Sequence, residues 1–513
     1  MRTHFIGIGG IGMSALARIL LQRNRPVSGS DERSSAITES LQKEGAKIAI
    51  GHSAAAIVGD ERVIYSTDIA HDNVEFQEAK RKGCTLMHRS DLLKELMDIH
   101  SPLLISGTHG KTTTSSLLAH VLIQARLDPA FAIGGIVKSL LTNGRHGKGD
   151  YFVAEADESD GSFLKYHGYG AIITNIDNDH LNYWKTTEAL VKGFKTFAQQ
   201  VISQDHLLWC CDDETLSNLK LPGISYGFSE KADALIENFR QMGWKTFFDL
   251  KLDGKTYSEI ELSLIGAHNV LNASAVFALA RRLGVSEEDI RSALSTFQGV
   301  GRRADKKGEI NSISVYDDYG HHPTEIFATL RALKQASGHK RLVVVFQPHR
   351  YTRTRDCLHE FSEAFESADV LVLTDIYSAG EPTIEGITSD AVVKKISEKR
   401  NVHYVPRQAL LSYLVKFLQP NDILVTMGAG DVTKVGPEVL EKLQEPAAKP
   451  SACEKSKILT NPCQNPQAGS AGGDGGILEN VDEPPTGQGA SKGRFCAAEG
   501  FTTGSNDETV PSP

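Results

Sequence analysis

The stretch Pro102-Leu-Leu-Ile-Ser-Gly-Thr-His-Gly-Lys-Thr-Thr-Thr-Ser-Ser-Leu-Leu-Ala-His-Val-Leu122 decides the fold. A short apolar run ends in a glycine turn, and a helical pattern follows with Leu117, Leu118, Val121 and Leu122 on one face. Strand, loop and helix start in that order aim backbone N–H groups at a phosphate, and the helix dipole favours the negative charge. Lys111 adds a point charge for the outer phosphates, and Thr112 a hydroxyl for a divalent cation. Two residues separate Gly107 from Gly110, where the standard phosphate loop has four. A glycine turn with a surface lysine is the plain alternative. Phosphate binding explains why Gly, Lys and Thr all fall on the junction.

Outward from this loop, the 513 residues and ordinary apolar content suit a chain of about three domains. A net charge of −9 without a long basic block argues against nucleic acid as the main partner. Seven cysteines, an odd count with no Cys-x-x-Cys, fit a reducing compartment, hence the cytoplasm. No apolar run reaches membrane-spanning length, so no membrane insertion is expected. The glycines near the N-terminus read as a nucleotide turn and not as a signal-peptide core.

Gly7, Gly9, Gly10 and Gly12 follow the apolar run His4 to Ile8, a helix is predicted over Met13 to Leu21, and a strand from Val27 ends near Asp31. This is a Rossmann-like start with an acid about twenty residues on. NAD, the diphosphate of another nucleotide, and a plain βαβ turn all remain readings of it. After the central loop, two strands end in polar clusters, where ligands bind in open α/β sheets. Asp150 to Glu155 runs into Ala156-Asp-Glu-Ser-Asp160, and Ala171 to Ile176 into Asp177-Asn-Asp-His180. Carboxylates beside a phosphate loop suit Mg2+. Residues 223–264 read as β-rich, and Gly266 opens a helix carrying His268, Asn269 and Asn272 on neighbouring turns. A Gly-flanked arginine pair, Arg302 and Arg303, suits a phosphate or a hinge.

A third unit alternates strands and helices from Ile313 to about Leu443, which predicts a parallel sheet. Polar clusters again follow its strands: Asp317 to Glu325, then Gln347 to Arg355. The adjacent His321 and His322 suit substrate contact or proton transfer, and Arg350, Arg353 and Arg355 suit carboxylate or phosphate recognition. From Glu445 the composition turns to Pro, Gly, Ser and Asn, the signature of a disordered tail or linker over 446–513.

Taken together, Gly107-Thr-His-Gly-Lys-Thr-Thr113, Glu155-Ala-Asp-Glu-Ser-Asp160, His268-Asn-Val-Leu-Asn272, Asp317 to Glu325 and Phe346-Gln-Pro-His-Arg-Tyr-Thr-Arg353 resemble the Mur ligases, in the family's order over about residues 1–443. The resemblance implies an α/β fold of three domains. A Rossmann-like UDP-binding domain would span 1–98, a central P-loop-type ATPase domain 99–304, and a C-terminal Rossmann-like α/β domain 305–445. It implies ATP as co-substrate, Mg2+ (or Mn2+) as metal, and UDP-N-acetylmuramate and L-alanine as the molecules joined. Gly7-Ile-Gly-Gly-Ile-Gly-Met-Ser14 favours that branch over the one that recycles whole muropeptides.

By the same resemblance, Gly9, Gly10, Ile11 and Gly12 hold the UDP diphosphate, with Asp31, Ser66 and Arg89 near the nucleotide. Gly107, Thr108, His109, Gly110, Lys111, Thr112 and Thr113 take the ATP phosphates. Thr112, Glu155 and His180 take the metals. His268, Asn269 and Asn272 lie on the adenine side, and Arg302 and Asp318 reach in from the closing domain. Tyr319, His321, His349, Arg350 and Arg353 form the amino-acid and transfer site. Lys111, His180, Arg302, His321 and His349 carry the chemistry. Two departures stand out. Ala132-Ile133 precedes Gly134-Gly135 where the family often has Asn. The carbamylated lysine of other members has only Lys192 or Lys195 as counterpart, and this branch is not expected to need it. Some relatives carry a D-alanine–D-alanine ligase fused after the last domain; here only the tail follows.

Overall fold

The computed structural model describes residues 2–398 and 400–445; the predicted tail lies outside the described residues. Three sheets follow one another along the chain. The first is fully parallel, in the order Lys47–Ile50, Val27–Asp31, Thr3–Ile6, Arg62–Tyr65, Thr85–His88. The order reverses between Thr3–Ile6 and Arg62–Tyr65, so the Gly7–Gly12 turn opens at the switch point where such sheets bind ligands.

The central sheet has ten strands. Ser101–Ser106 lies inside it, flanked by Gly170–Ile173 and Tyr151–Glu155, both parallel to it. All three strands are almost wholly buried and apolar, as strands covered on both faces must be. Their C-terminal ends therefore bring the glycine loop, Glu155 and the Asp177–His180 loop to one edge. The β-rich stretch 223–264 forms the antiparallel strands Ala234–Met242, Lys245–Leu252 and Lys255–Leu262 at one side.

The third sheet runs Asp305–Ile310, Ile313–Asp318, Ile423–Met427, Leu342–Phe346, Val370–Leu373, Val402–Tyr404. It is parallel except for Asp305–Ile310, which pairs antiparallel with Ile313–Asp318. The strands expected from Ile313 onward are parallel, as read from the sequence; the hairpin turn Asn311-Ser312, with both residues at positive φ, adds one antiparallel edge ahead of them.

The seams between the sheets differ in chemistry. At the first, the helix Ile11–Gln22 packs on the strand Thr142–Arg145 so closely that a Cβ on Gly144 would lie 2.5 Å from the Ala15 carbonyl. Buried Arg18 donates to Asn143 and, at 2.9 Å, to Glu44, and Asn143 donates to the Ile11 carbonyl at 2.6 Å. At the second, between the central and C-terminal sheets, charged groups surround a cavity.

Candidate active site

The helix Lys111–Gln124 starts at Gly110, whose φ of +85° favours glycine, and no side chain caps it. Its first N–H groups are left for a ligand. Gly107 cannot carry a side chain: a Cβ there would lie 2.0 Å from Thr174 Oγ1.

Lys111 turns back over the loop. Its Nζ donates to both oxygens of Glu158, at 2.7 and 3.0 Å, and to the Gly107 and Thr108 carbonyls. Burial would lower the lysine, but Glu158 and Asp157 outweigh it and raise it, so it stays charged. Burial pushes Glu158 up to about 7 even with Lys111 beside it. Glu158 stood in the quoted acid motif without a role. Its partner is 47 residues away in sequence, and no local pattern announces the pair.

Glu155 lies beside the helix start. It accepts from Gly134 N at 2.7 Å, Thr112 Oγ1 at 3.3 Å and Ser115 Oγ at 3.3 Å. Burial raises its pKa, so this carboxylate calls for a cation. A Cβ on Gly134 would lie 2.9 Å from Glu155 Oε2, which explains a glycine there whatever precedes it. His180, at a left-handed φ of +58°, points its Nε2 at Glu158 (3.8 Å) and Asp179 (3.6 Å). Burial lowers its pKa, leaving a neutral imidazole able to ligate a metal. A hydroxyl, a carboxylate and a neutral imidazole beside a phosphate loop fit a divalent cation. Lys192 and Lys195 are exposed on the helix Thr187–Gln199.

A cavity of about 750 Å3 opens next to the loop. Of the expected ATP-side residues, His109, Gly110, Thr112, Thr113, His268, Asn269, Asn272 and Asp318 line it. Asn272 packs against Gly110, and burial pushes His268 down to about 4. Trp244 and Tyr316, stacked 4.9 Å apart and nearly parallel, also line it; no sequence signal pointed to them. Of the arginine pair, Arg303 lines the cavity. Arg302 lies over the Tyr319 ring and donates to the Gly428 carbonyl at 2.7 Å. Burial pushes Asp318 up to about 6; its carboxylate accepts from Ala304 N and Gly320 N.

Ionic contacts cross the seam around this cavity. His109 Nε2 is 2.9 Å from Asp177, and its Nδ1 is 3.3 Å from Glu325. Burial opposes the charged imidazole, yet the two carboxylates lift it to about 9. Thr324 donates to Asp177 at 2.8 Å, and Arg353 reaches Asp179 at 3.0 Å. His322 caps the helix Pro323–Ser337 together with Glu325.

His321 and His349 lie 6.0 Å apart, ring to ring, and His349 stacks on Tyr377. Burial pushes them down to about 4 and about 3, with Arg353 adding to the effect. Both are held neutral at pH 7; Nδ1 of His321 lies 3.0 Å from the Tyr319 carbonyl, which leaves its lone pair on Nε2, and Nδ1 of His349 is buried without a partner. Arg350, at φ +68°, stands 3.6 Å from Glu381.

On the first sheet, the helix Ile11–Gln22 also starts at an uncapped glycine, Gly10. Asp31 accepts from Gly9 N at 2.8 Å. Ser66 follows the strand Arg62–Tyr65. Arg89 bridges to the central sheet, 3.1 Å from Asp157 and 3.3 Å from Asp160.

Three family models match in the same order. One described as "Mur ligase family, catalytic domain" covers residues 2–100, the "Mur ligase middle domain" 105–280, and the "Mur ligase, glutamate ligase domain" 302–430. The UDP-N-acetylmuramate–L-alanine ligase of Protochlamydia amoebophila is 51% identical over 444 residues, 86% of this chain and 98% of that one. That of an Anaeromyxobacter species is 45% identical over 450 residues, with the same coverage. The crystal structure of the Thermotoga maritima UDP-N-acetylmuramate–alanine ligase superposes with a TM-score of 0.75 at 30% identity, covering 86% of this chain and 99% of that one. Sheet order, loop chemistry and these likenesses agree: the chain belongs to the Mur ligase family.

Proposed function

We infer that this protein joins L-alanine to the lactyl carboxylate of UDP-N-acetylmuramate, converting ATP to ADP and phosphate, in the assembly of a peptidoglycan precursor. One observation carries the reading. The Asp179–Arg353 contact brings the arginine-rich end of the C-terminal sheet one residue from His180, beside Lys111 and Glu155 of the central sheet, which supports an amino-acid site next to a phosphate site. Residues 1–98, 99–304 and 305–445 then act as UDP-sugar, ATP and amino-acid domains.

A carboxylate is a poor acyl donor, because oxide would have to leave. Transfer of the γ-phosphoryl group onto it makes an acyl phosphate, from which inorganic phosphate leaves readily. Lys111 exchanges Glu158 for the transferring phosphoryl and neutralises its charge. Thr112, Glu155 and His180 would hold Mg2+, which supplies charge neutralisation at the phosphates. His268, Asn269 and Asn272 face the nucleotide base across the cavity. The Gly9–Gly12 turn and Asp31 hold the UDP end. Arg353, with Arg350, takes the amino acid's carboxylate, and neutral His321 or His349 accepts the proton its amine loses. The closed seam keeps water from the acyl phosphate.

The test is direct. UDP-N-acetylmuramate, L-alanine, ATP and Mg2+ are incubated with the protein, and the product is weighed by mass spectrometry. The mass of UDP-N-acetylmuramoyl-L-alanine supports the reading. No product, or equal turnover with glutamate, overturns it.

A further inference from the structure

Arg353 sits on the short helix Tyr351–Asp356, and its guanidinium crosses the seam. Both carboxylate oxygens of Asp179 lie 3.0 Å from its Nη2. The two side chains are only 13% and 14% exposed. Asp179 belongs to the central sheet, in the loop after Gly170–Ile173, directly before His180. Arg353 Nε is buried without a hydrogen-bond partner, and so is Nδ1 of His349, an electrostatic neighbour. Together with the cross-seam ion pair, these two unpaired atoms leave hydrogen-bonding capacity for a polar ligand. An arginine with uncommitted N–H groups suits a carboxylate.

We propose that Asp179 is a positioning residue: it anchors Arg353 so that the remaining guanidinium N–H groups meet the carboxylate of the incoming amino acid. The proposal rests on the ligase reading above. Because the two residues belong to different sheets, the arginine is oriented only while the seam is closed. The amino-acid pocket is thus completed by closure itself. Along the line Asp179, Arg353, substrate carboxylate, the charges alternate. Without the anchor, the long arginine side chain regains rotamer freedom that alanine binding must then remove.

Two acceptors separate this role from a general one. L-Alanine carries a carboxylate and hydroxylamine does not, yet both attack an acyl phosphate. The nitrogen bonds to the acyl carbon and loses a proton, and the bond to phosphate oxygen breaks, releasing inorganic phosphate. UDP-N-acetylmuramate-dependent amide and hydroxamate are measured for the wild type, Asp179→Asn, Asp179→Glu, Arg353→Ala and the Asp179→Asn/Arg353→Ala double variant. Asp179→Asn should lower the preference for alanine over hydroxylamine about tenfold, mainly through the KM for alanine. Asp179→Glu, which keeps the charge, should recover part of it. The double variant should discriminate no worse than Arg353→Ala alone, because one pair carries the effect. An equal fall with both acceptors, or an unchanged KM for alanine, overturns the proposal. A wild type that makes neither product overturns the ligase reading itself, and the proposal with it.

Discussion

The loop Gly7–Gly12 of the first sheet and the loop Gly107–Gly110 of the central one share a plan: a buried parallel strand, a glycine turn, and a helix whose glycine N-cap has no side-chain cap. Their surroundings differ. The first offers backbone N–H groups, with the Asp31 carboxylate already held by Gly9 N. The second pairs Lys111 with buried Glu158 and Thr112 with Glu155, and Asp157 is an electrostatic neighbour of the lysine. On the function proposed, the diphosphate at the first loop leaves unchanged, so shape and N–H groups suffice. The phosphate at the second is transferred, so charge must be stored there and released as bonds shift.

That contrast can be broken most sharply at Lys111. Lys111→Ala should lower kcat/KM by about 10³-fold or more, read as alanine-dependent phosphate release. Near-normal turnover would remove the distinction between the loops. The substitution also leaves Glu158 buried without its partner, so a Lys111→Met/Glu158→Gln variant separates folding from chemistry. It should keep the wild-type circular dichroism and remain inactive. Next in size, Glu155→Gln should raise the Mg2+ concentration needed for half-maximal activity by roughly 10–100-fold, with the KM for the UDP-sugar little moved. At the first loop, Gly9→Ala places a Cβ 2.8 Å from Asp31 Oδ2 and 2.9 Å from Thr38 Cγ2. It should raise the KM for UDP-N-acetylmuramate about tenfold while kcat stays within about threefold, as expected for uniform binding. A kcat effect would mean that this loop takes part in chemistry.

The smallest effect concerns stability. The folded pKa of His109 is raised from 6.5 to about 9. Its contribution is therefore fully present below about pH 6.5 and lost as pH rises through about 9. The melting temperature of the wild type should exceed that of His109→Gln by on the order of 3 °C at pH 6, and the gap should close by pH 9.5. A constant gap would mean that packing, not charge, holds the histidine.

Much of this arrangement was legible in the chain. The strand ahead of Gly107 and the helix after Lys111 show themselves through local periodicity, and the loop they frame has a composition that few other structures require. Thr112 and the carboxylates after the strands show themselves because they lie at element ends beside the loop, whereas the choice of Glu155 and His180 comes from the family resemblance. What escaped depends on distant pairing. Glu158 matters because Lys111 folds back on it, and Asp179 because Arg353, 174 residues on, crosses a seam to meet it. Trp244 and Tyr316 meet only when an antiparallel hairpin leans over a different sheet. Of Arg302 and Arg303, the local sequence gives no means of telling which turns into the cavity; the structure turns Arg303 there and lays Arg302 over Tyr319.

The Trp244–Tyr316 stack has a practical consequence. The sequence contains three tryptophans, and Trp184 and Trp209 belong to the central sheet's own elements. Trp244 alone of the three presses its ring flat on an aromatic residue of the C-terminal sheet, at the wall of the cavity beside the phosphate loop, while 40% exposed. Its emission is therefore a native optical gauge of the seam. Parting the sheets unstacks the indole and wets it, so in a variant with Trp184 and Trp209 replaced by phenylalanine the opening can be followed in real time without attaching a dye.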